Sequence, residues 1–262
     1  MIKFKWNKVH RPDQTPIISD EKIENLAEEL LMDYKPELLE HPMAVNPEHF
    51  AESYMGIDIE YQRIASPDNN VVGAMVFNDE CLPVYREDGK IHLIQIPANT
   101  IVIHEDTACD DKLHRFMRFT LLHECGHAWM HAQVYRRNSP NVSLFGASEI
   151  NKQLVKCFRS YLTCSKRSLV TEEDFREHQA NVFAAAIAMP RATFVPYAKR
   201  MLKRYGLDER YSSQYSGDSR SFQDTYNIFL SNLAKAYDVS CQSVDIKLHK
   251  LGLVKSEISL VS

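Results

Sequence analysis

The sequence predicts an α+β fold, in which a small antiparallel sheet packs on helices. Three observations favour this class. An amphipathic pattern follows Ser19, short β-branched and aromatic runs fill residues 57–105, and helical patterns return after Asp110. The chain has 262 residues, of which 44% are hydrophobic, and this is enough for a large domain with its own core.

The first predicted helix follows the N-cap candidate Ser19. Apolar residues recur there at helical spacing, and glutamates cover the remaining surface. A second, short helix should begin at Asn46-Pro47 and end at Gly56, because Asn caps helices, Pro suits their first position and Gly suits their end. The apolar residues of the first helix are Ile23, Leu26, Ala27, Leu30 and Leu31.

Five short runs rich in β-branched and aromatic residues predict strands. Turn residues separate neighbouring runs, as at Asn78-Asp79 and Asp88-Gly89. We therefore expect an antiparallel meander of three to five strands. The runs are residues 57–61, 71–77, 81–85, 91–96 and 100–104.

Two longer helical zones follow the strands. The first should run from Asp110-Asp111 to about Val134, and the second from about Thr171 to a stop at Met189-Pro190.

The C-terminal pattern predicts a helical region similar to a helix-turn-helix. Residues 229–252 fit two helices joined around Asp238, with Ser240 as the N-cap of the second. We expect residues 1–200 to form one domain and residues 201–262 to form this appended helical region.

Residues 135–170, called here the basic insert, separate the two helical zones. They hold seven Lys or Arg and one acid, so the insert carries +6 and the rest of the chain −10. Apolar residues recur every four positions over 150–162, which predicts an amphipathic helix with a cationic outer side. That side could attract an acidic substrate, or it could merely be solvated. The apolar residues are Ile150, Leu154, Phe158 and Leu162.

Composition disfavours several classes of protein. A net charge of −4 and a pI near 6.3 give no strong basic field for nucleic acid. The basic N-terminus leads to Pro12-Asp13 and not to an apolar stretch, and no run approaches the roughly 18 apolar residues of a membrane span. Six cysteines without a CxxC pair argue against disulfides and against a cysteine-based zinc site. We therefore expect a cytoplasmic protein without a membrane or nucleic-acid partner.

The segment from His123 to His127 has the pattern of a metal site. Two histidines four positions apart lie on one face of a helix and can bind one ion. Glu124 points about 100° away, where it can touch a water on that ion without being a ligand. The spacing therefore predicts a metal site with Glu124 as general base, although two purely structural histidines would show the same pattern.

Glu177 is the candidate for the third ligand that a catalytic zinc requires. On the second helical zone it shares a face with Asn181 and two alanines, a face that could pack closely on another helix. Asn181 would then hydrogen-bond a ligand histidine. Two alternatives remain open: Glu177 is a solvated acid of the first turn, or His178 is the ligand.

His131 continues the His123/His127 face by one more turn. It could contact the substrate or assist at the oxyanion, or it could be a residue of the site's rim.

These residues resemble the ImmA/IrrE family of metallo-endopeptidases. The likeness rests on residues 118–127 with Trp129 and His131, and on Glu177-x-x-Ala-Asn followed by Met189-Pro190. It implies a zincin-like fold and limited proteolysis of a partner, often a helix-turn-helix repressor or an antitoxin, which derepresses mobile-element or stress-response genes.

By motif position, the resemblance implies zinc, with manganese as the alternative, bound by His123, His127 and Glu177. It gives Glu124 the role of general base. The 49 residues between His127 and Glu177 indicate an insertion.

A rival hypothesis is a DNA-binding or antitoxin-like regulator with a structural metal site. Residues 229–252 hold three Lys and no Arg against two Asp, which is few for contacts with phosphate. Glu124 favours catalysis, since a structural site has no use for it.

Overall fold

The computed structural model describes residues 1–5, 10–66, 70–136, 154–158, 162, 169–207 and 219–254. The helices are α1 (Asp20–Tyr34), α2 (Pro47–His49), α3 (Glu105–Cys109), α4 (His114–Met130), α5 (Ala132–Arg136), α6 (Glu172–Ala188), α7 (Arg191–Arg204), α8 (Ser219–Tyr237) and α9 (Cys241–Lys250). The strands are β1 (Asp58–Gln62), β2 (Val71–Val76), β3 (Glu80–Tyr85), β4 (Ile91–Ile96), β5 (Thr100–His104) and β6 (Leu154–Phe158). Within these ranges, none of the helices combines the length and the apolar character that crossing a membrane requires.

Four strands form the main sheet in the order β1-β5-β2-β6. β1 runs parallel to β5, whereas β2 runs antiparallel to both β5 and β6. β3 and β4 form a separate antiparallel hairpin. The five predicted strands are confirmed, but the antiparallel meander is wrong. Turn residues predict where strands end, and they do not show that β5 returns to lie between β1 and β2.

Side chains from both faces of the main sheet are buried. Met75, Ile101 and Ile103 join the core formed with the helices. Val76 and Val102, which alternate with them, face a smaller core shared with the hairpin. The sheet therefore separates the hairpin from α4, the helix that carries the histidine motif.

The amphipathic helix predicted over residues 150–162 is wrong where the structure describes it, because β6 is a strand there. Residues four apart share one face of a helix, but they also share one face of a strand, since four is twice the strand period. The spacing of Leu154 and Phe158 therefore fits both structures. Residues 137–153, 159–161 and 163–168 of the basic insert lie outside the described residues.

The helix predicted from Asp110 to Val134 is interrupted. Asp110 caps a 3-10 turn by accepting a hydrogen bond from the Lys112 N–H at 2.9 Å, and α4 follows that turn. α4 ends at Met130 and α5 begins at Ala132. The break falls at His131, whose ring makes hydrogen bonds within the site described below.

The second helical zone begins where the sequence predicts. The Thr171 hydroxyl accepts a hydrogen bond from the Asp174 N–H at 3.1 Å, and the Asp174 carboxylate accepts one from the Thr171 N–H at 2.8 Å. This capping box fixes the start of α6. Met189-Pro190 follows its last residue, as expected.

α8 and α9 confirm the two-helix prediction at the C-terminus. The Ser240 hydroxyl caps α9 by accepting a hydrogen bond from the Ser243 N–H at 3.0 Å. Asp238, left-handed with a φ of 51°, joins the helices and lies 3.2 Å from Nε of Arg115 and 3.1 Å from Nε of Arg118 on α4. The C-terminal helices thus pack on the same core as α4, and the division at residue 200 stays a prediction.

Candidate metal site

Close packing of α4 on α6 brings the predicted site residues together. Gly126 permits this approach, because a Cβ at this position would lie 3.2 Å from Cα of Ala180 and 3.1 Å from the Phe183 ring. Ala180 lies one helical turn after Glu177. The contact therefore carries the Glu177 carboxylate to the histidines of α4.

His123, His127 and Glu177 form a buried group that could hold a metal ion. The Nε2 atoms of the two histidines lie 3.0 Å apart. Glu177 Oε2 lies 3.2 Å from His123 Nε2, and its Oε1 lies 3.3 Å from His127 Nε2. Ligand atoms about 2.1 Å from one tetrahedral zinc ion lie roughly 3.4 Å apart, so the three side chains need to move only slightly to bind it.

The hydrogen bonding of the buried acids also fits a cation. Within the described part of the chain, both carboxylate oxygens of Glu124 and of Glu177 are buried without a hydrogen-bond partner of good geometry. Buried carboxylates without partners are destabilising. A cation bound by this group would satisfy Glu177, and a water beside the cation would be a donor to Glu124.

Asn181 holds the ring of His123. Its side-chain oxygen lies 3.0 Å from Nδ1 of His123. Because an amide oxygen only accepts, Nδ1 must carry the hydrogen, which leaves Nε2 with a lone pair toward Glu177. The sequence predicts this contact for Asn181. The contact leaves Nε2 of His123 available to bind a metal.

A second chain of hydrogen bonds holds His127. Its Nδ1 lies 3.1 Å from Nδ1 of His131, and Nε2 of His131 lies 2.9 Å from the side-chain oxygen of Gln179. The Gln179 amide in turn donates to the Pro16 carbonyl at 2.7 Å. These contacts assign one direction throughout: His127 donates to His131, His131 donates to Gln179, and Nε2 of His127 keeps its lone pair.

His131 therefore positions His127. Its side chain is 0% exposed, and both ring nitrogens have protein partners. The predicted place on the rim is wrong, and in this structure His131 is not available to a substrate or an oxyanion. Burial, together with the nearby His127, lowers the pKa of His131 well below its ordinary value, which keeps the ring neutral and able to accept a hydrogen bond.

The ionisation of the group suits a metal site. Burial lowers the pKa of His127, with Glu177 opposing part of the shift, so the imidazole is neutral near pH 7. Burial alone would raise the pKa of Glu177, but attraction to the His127 and His123 rings in their protonated form outweighs it and lowers the pKa. A neutral imidazole and an ionised carboxylate are the forms that bind metals.

Glu124 lies beside the group, under strand β2. A Cβ at Gly73 would lie 2.9 Å from Cγ2 of Thr120 and 3.2 Å from Oε1 of Glu124, so a larger residue here would force these side chains to shift. Burial, and then the charge of Glu177, raise the pKa of Glu124 well above its ordinary value. An oxygen of Glu124, a ring nitrogen of His123 and the Cys157 sulfur lie within 4.8 Å of one another.

The alternatives for the third ligand are excluded by geometry. His178 turns away from the group, and its Nε2 lies 2.8 Å from Asp20. Glu177 is only 3% exposed, so it is not a solvated acid of the first turn. Cys125 lies in the hydrophobic core.

No model of a protein family matches the chain, and no curated protein matches it. Only the residues and their geometry therefore support a function for this site.

The sequence analysis did not predict three residues of the site, which are Gly73, Gln179 and Cys157. Gly73 carries a signal, since a glycine inside an apolar strand indicates a close approach of another element. The positions of Gln179 and Cys157 depend on partners at least 30 residues away along the chain, at His131 and Glu124. Local spacing predicts nothing about such contacts.

Proposed function

We propose that the chain is a zinc-dependent endopeptidase of the ImmA/IrrE type, with zinc bound by His123, His127 and Glu177. The observation that supports this most strongly is the position of Glu124, a buried carboxylate that borders the three-ligand group without belonging to it. Catalytic zinc sites use three protein ligands, often two His and one Glu, and keep one position for water. A structural site has no role for an additional acid.

The chain's residues divide the chemistry between them. When bound, zinc would act as a Lewis acid and lower the pKa of a coordinated water. Glu124 takes the proton of the attacking water and passes it to the leaving amine. Its raised pKa helps the first step, because a more basic carboxylate accepts the proton of the water more readily. Asn181 and His131 keep the two imidazoles in fixed orientations.

The proposed substrate is a protein in the cytoplasm, a helix-turn-helix repressor or an antitoxin, as the family resemblance implies. The regulator hypothesis has weaker support, because two of the three C-terminal lysines already have partners. Lys247 is 3% exposed and lies 3.4 Å from Glu24, and Lys250 lies 3.6 Å from Asp20. These charges are poorly placed to bind phosphate.

Co-expression with the product of the neighbouring gene tests the activity. We expect a shortened band of that product with the parent chain and none with Glu124→Gln, which keeps the shape of the side chain but loses the base. Glu21→Gln on the exposed side of α1 is the matched control and should cleave like the parent. A shortened band that Glu124→Gln produces as fast as the parent would contradict the mechanism.

A further inference from the structure

Cys157 lies at the candidate metal site although it belongs to the basic insert. It is 0% exposed and pairs with Gly73 across the ladder between β6 and β2. Since Gly73 has no side chain, nothing on β2 separates this part of β6 from Glu124. The Cys157 sulfur is accordingly within 4.8 Å of both a Glu124 oxygen and a His123 nitrogen.

Two groups of potential metal ligands therefore share His123. One is His123, His127 and Glu177, and the other is His123, Glu124 and Cys157. An ion held by the first group has one tetrahedral position left. The Cys157 sulfur lies beside Glu124, the proposed base for the attacking water. Thiolate sulfur is among the ligands that zinc commonly takes in proteins.

We propose that the Cys157 thiolate is the fourth ligand of the metal and that β6 thereby holds the peptidase in a latent form. This inference rests on the proposed function, because it requires the metal at His123, His127 and Glu177. When the sulfur–metal bond forms, the thiol gives its proton to the adjacent Glu124 carboxylate and the water leaves the fourth position. No atom changes its oxidation state. The fourth position then holds no water, and the protonated Glu124 cannot act as a base.

The position of β6 supports latency independently of the sulfur. β2 crosses directly over Glu124, so a peptide that presents its backbone to Glu124 would pair with the edge of β2 as an added strand. β6 occupies that edge. His123, Glu124 and His127 are 0% exposed, which leaves no path for a peptide. Activation therefore requires β6 to leave β2 together with its cysteine, so the parent chain cleaves only while β6 is displaced and does so more slowly than a chain without the Cys157 sulfur.

Absorption of the cobalt-loaded protein tests the ligand directly. Thiolate bound to Co²⁺ gives an intense charge-transfer band in the near ultraviolet, which imidazole and carboxylate ligands do not give. We expect this band in the parent chain and its loss in Cys157→Ala and Cys157→Ser. Cys125→Ala is the matched control, since Cys125 is equally buried but faces the core, and it should keep the band.

Cleavage in the co-expression experiment tests latency. Cys157→Ala should shorten the partner faster than the parent chain does, whereas Cys125→Ala should match the parent. Equal rates for Cys157→Ala and the parent would overturn the latent form.

The outcomes separate the two proposals. A parent chain that binds Co²⁺ through His123 and Glu177 but shows no band overturns the role of Cys157 and leaves the proposed function standing. A band that persists in both Cys157 variants also overturns it. A folded parent chain that binds no Co²⁺ overturns both proposals. Absence of the band in the parent chain overturns the role of Cys157 without any variant, and loss of the band in either of the two Cys157 variants, if that variant is folded, supports it.

Discussion

Nε2 of His131 lies 2.9 Å from the side-chain oxygen of Gln179, and this hydrogen bond joins the end of α4 to the middle of α6. Through His131 the contact fixes the ring of His127, and through the Gln179 amide it reaches the Pro16 carbonyl near the N-terminus. The orientation of one predicted ligand thus depends on residues from three separate parts of the chain.

We expect Gln179→Leu to weaken zinc binding by about 10- to 100-fold, the usual effect of losing a hydrogen bond behind a ligand. The variant removes the acceptor for His131 and leaves the three ligands in place. Competition with a chromogenic chelator measures the dissociation constant. His178→Leu, one position away but turned toward Asp20, should bind zinc like the parent. If both variants bind zinc equally tightly, the hydrogen bonds from Gln179 through His131 do not orient His127.

Two substitutions of Asn181 separate the effect of the side chain's shape from the effect of its hydrogen bond. Asn181→Asp keeps an oxygen that accepts from Nδ1 of His123, whereas Asn181→Leu removes it. We expect the Leu variant to bind zinc about 10- to 100-fold more weakly and the Asp variant to stay close to the parent. If the two variants bind zinc equally well, the hydrogen bond at 3.0 Å does not orient His123.

Gly126→Ala should weaken zinc binding although alanine favours helices. The substitution gains about 1 kcal/mol in helix propensity. The added methyl group would lie 3.2 Å from the Ala180 backbone, and overpacking of this kind costs about 1–3 kcal/mol. The free energy of unfolding should therefore change little or fall, while the shift of α6 moves Glu177 away from the histidines. Chemical denaturation and zinc titration measure the two effects, and an unchanged zinc affinity would show that α6 does not move.

The ion pairs of Asp238 should make stability depend on pH. Burial opposes ionisation, but Arg118, Arg115 and His114 outweigh it and lower the pKa of Asp238 below its ordinary 3.8. A lowered pKa contributes stability above about pH 4, and the contribution is lost as the pH falls toward the folded value.

Asp238→Asn should therefore lower the free energy of unfolding by about 1 kcal/mol at pH 7 and low salt, since the pairs are partly exposed. Asn tolerates the left-handed backbone of this position, so the variant removes only the charge. The difference from the parent should shrink below pH 4. Asp224→Asn, on the exposed side of α8, is the control and should match the parent at each pH. A difference that is constant with pH would mean that the charge is not responsible.

Local patterns predicted the elements well, because the signals for them lie within a few residues. The five strands between Asp58 and His104, the Thr171 start of α6 and the Ser240 cap all follow from turn and cap residues. Glu177 could also be placed near the histidines, since the spacing to Asn181 indicates a face of α6 that packs on α4.

Long-range pairing could not be predicted in this way. The parallel pairing of β1 with β5 and the strand β6 depend on contacts between distant segments. The period of four in the basic insert fits a helix and a strand equally. The position of His131 could not be predicted either, because its spacing from His127 predicts a shared face but not its hydrogen bond to Gln179.

Zinc content and affinity of the purified chain test the central claim most directly. We predict one zinc per parent chain, measured by metal analysis after dialysis, and the same in Glu124→Gln. His123→Ala, His127→Ala and Glu177→Ala should each lose most of the zinc while circular dichroism shows them folded. A parent chain that retains no zinc, or a Glu177→Ala variant that binds zinc as tightly as the parent, would contradict the account.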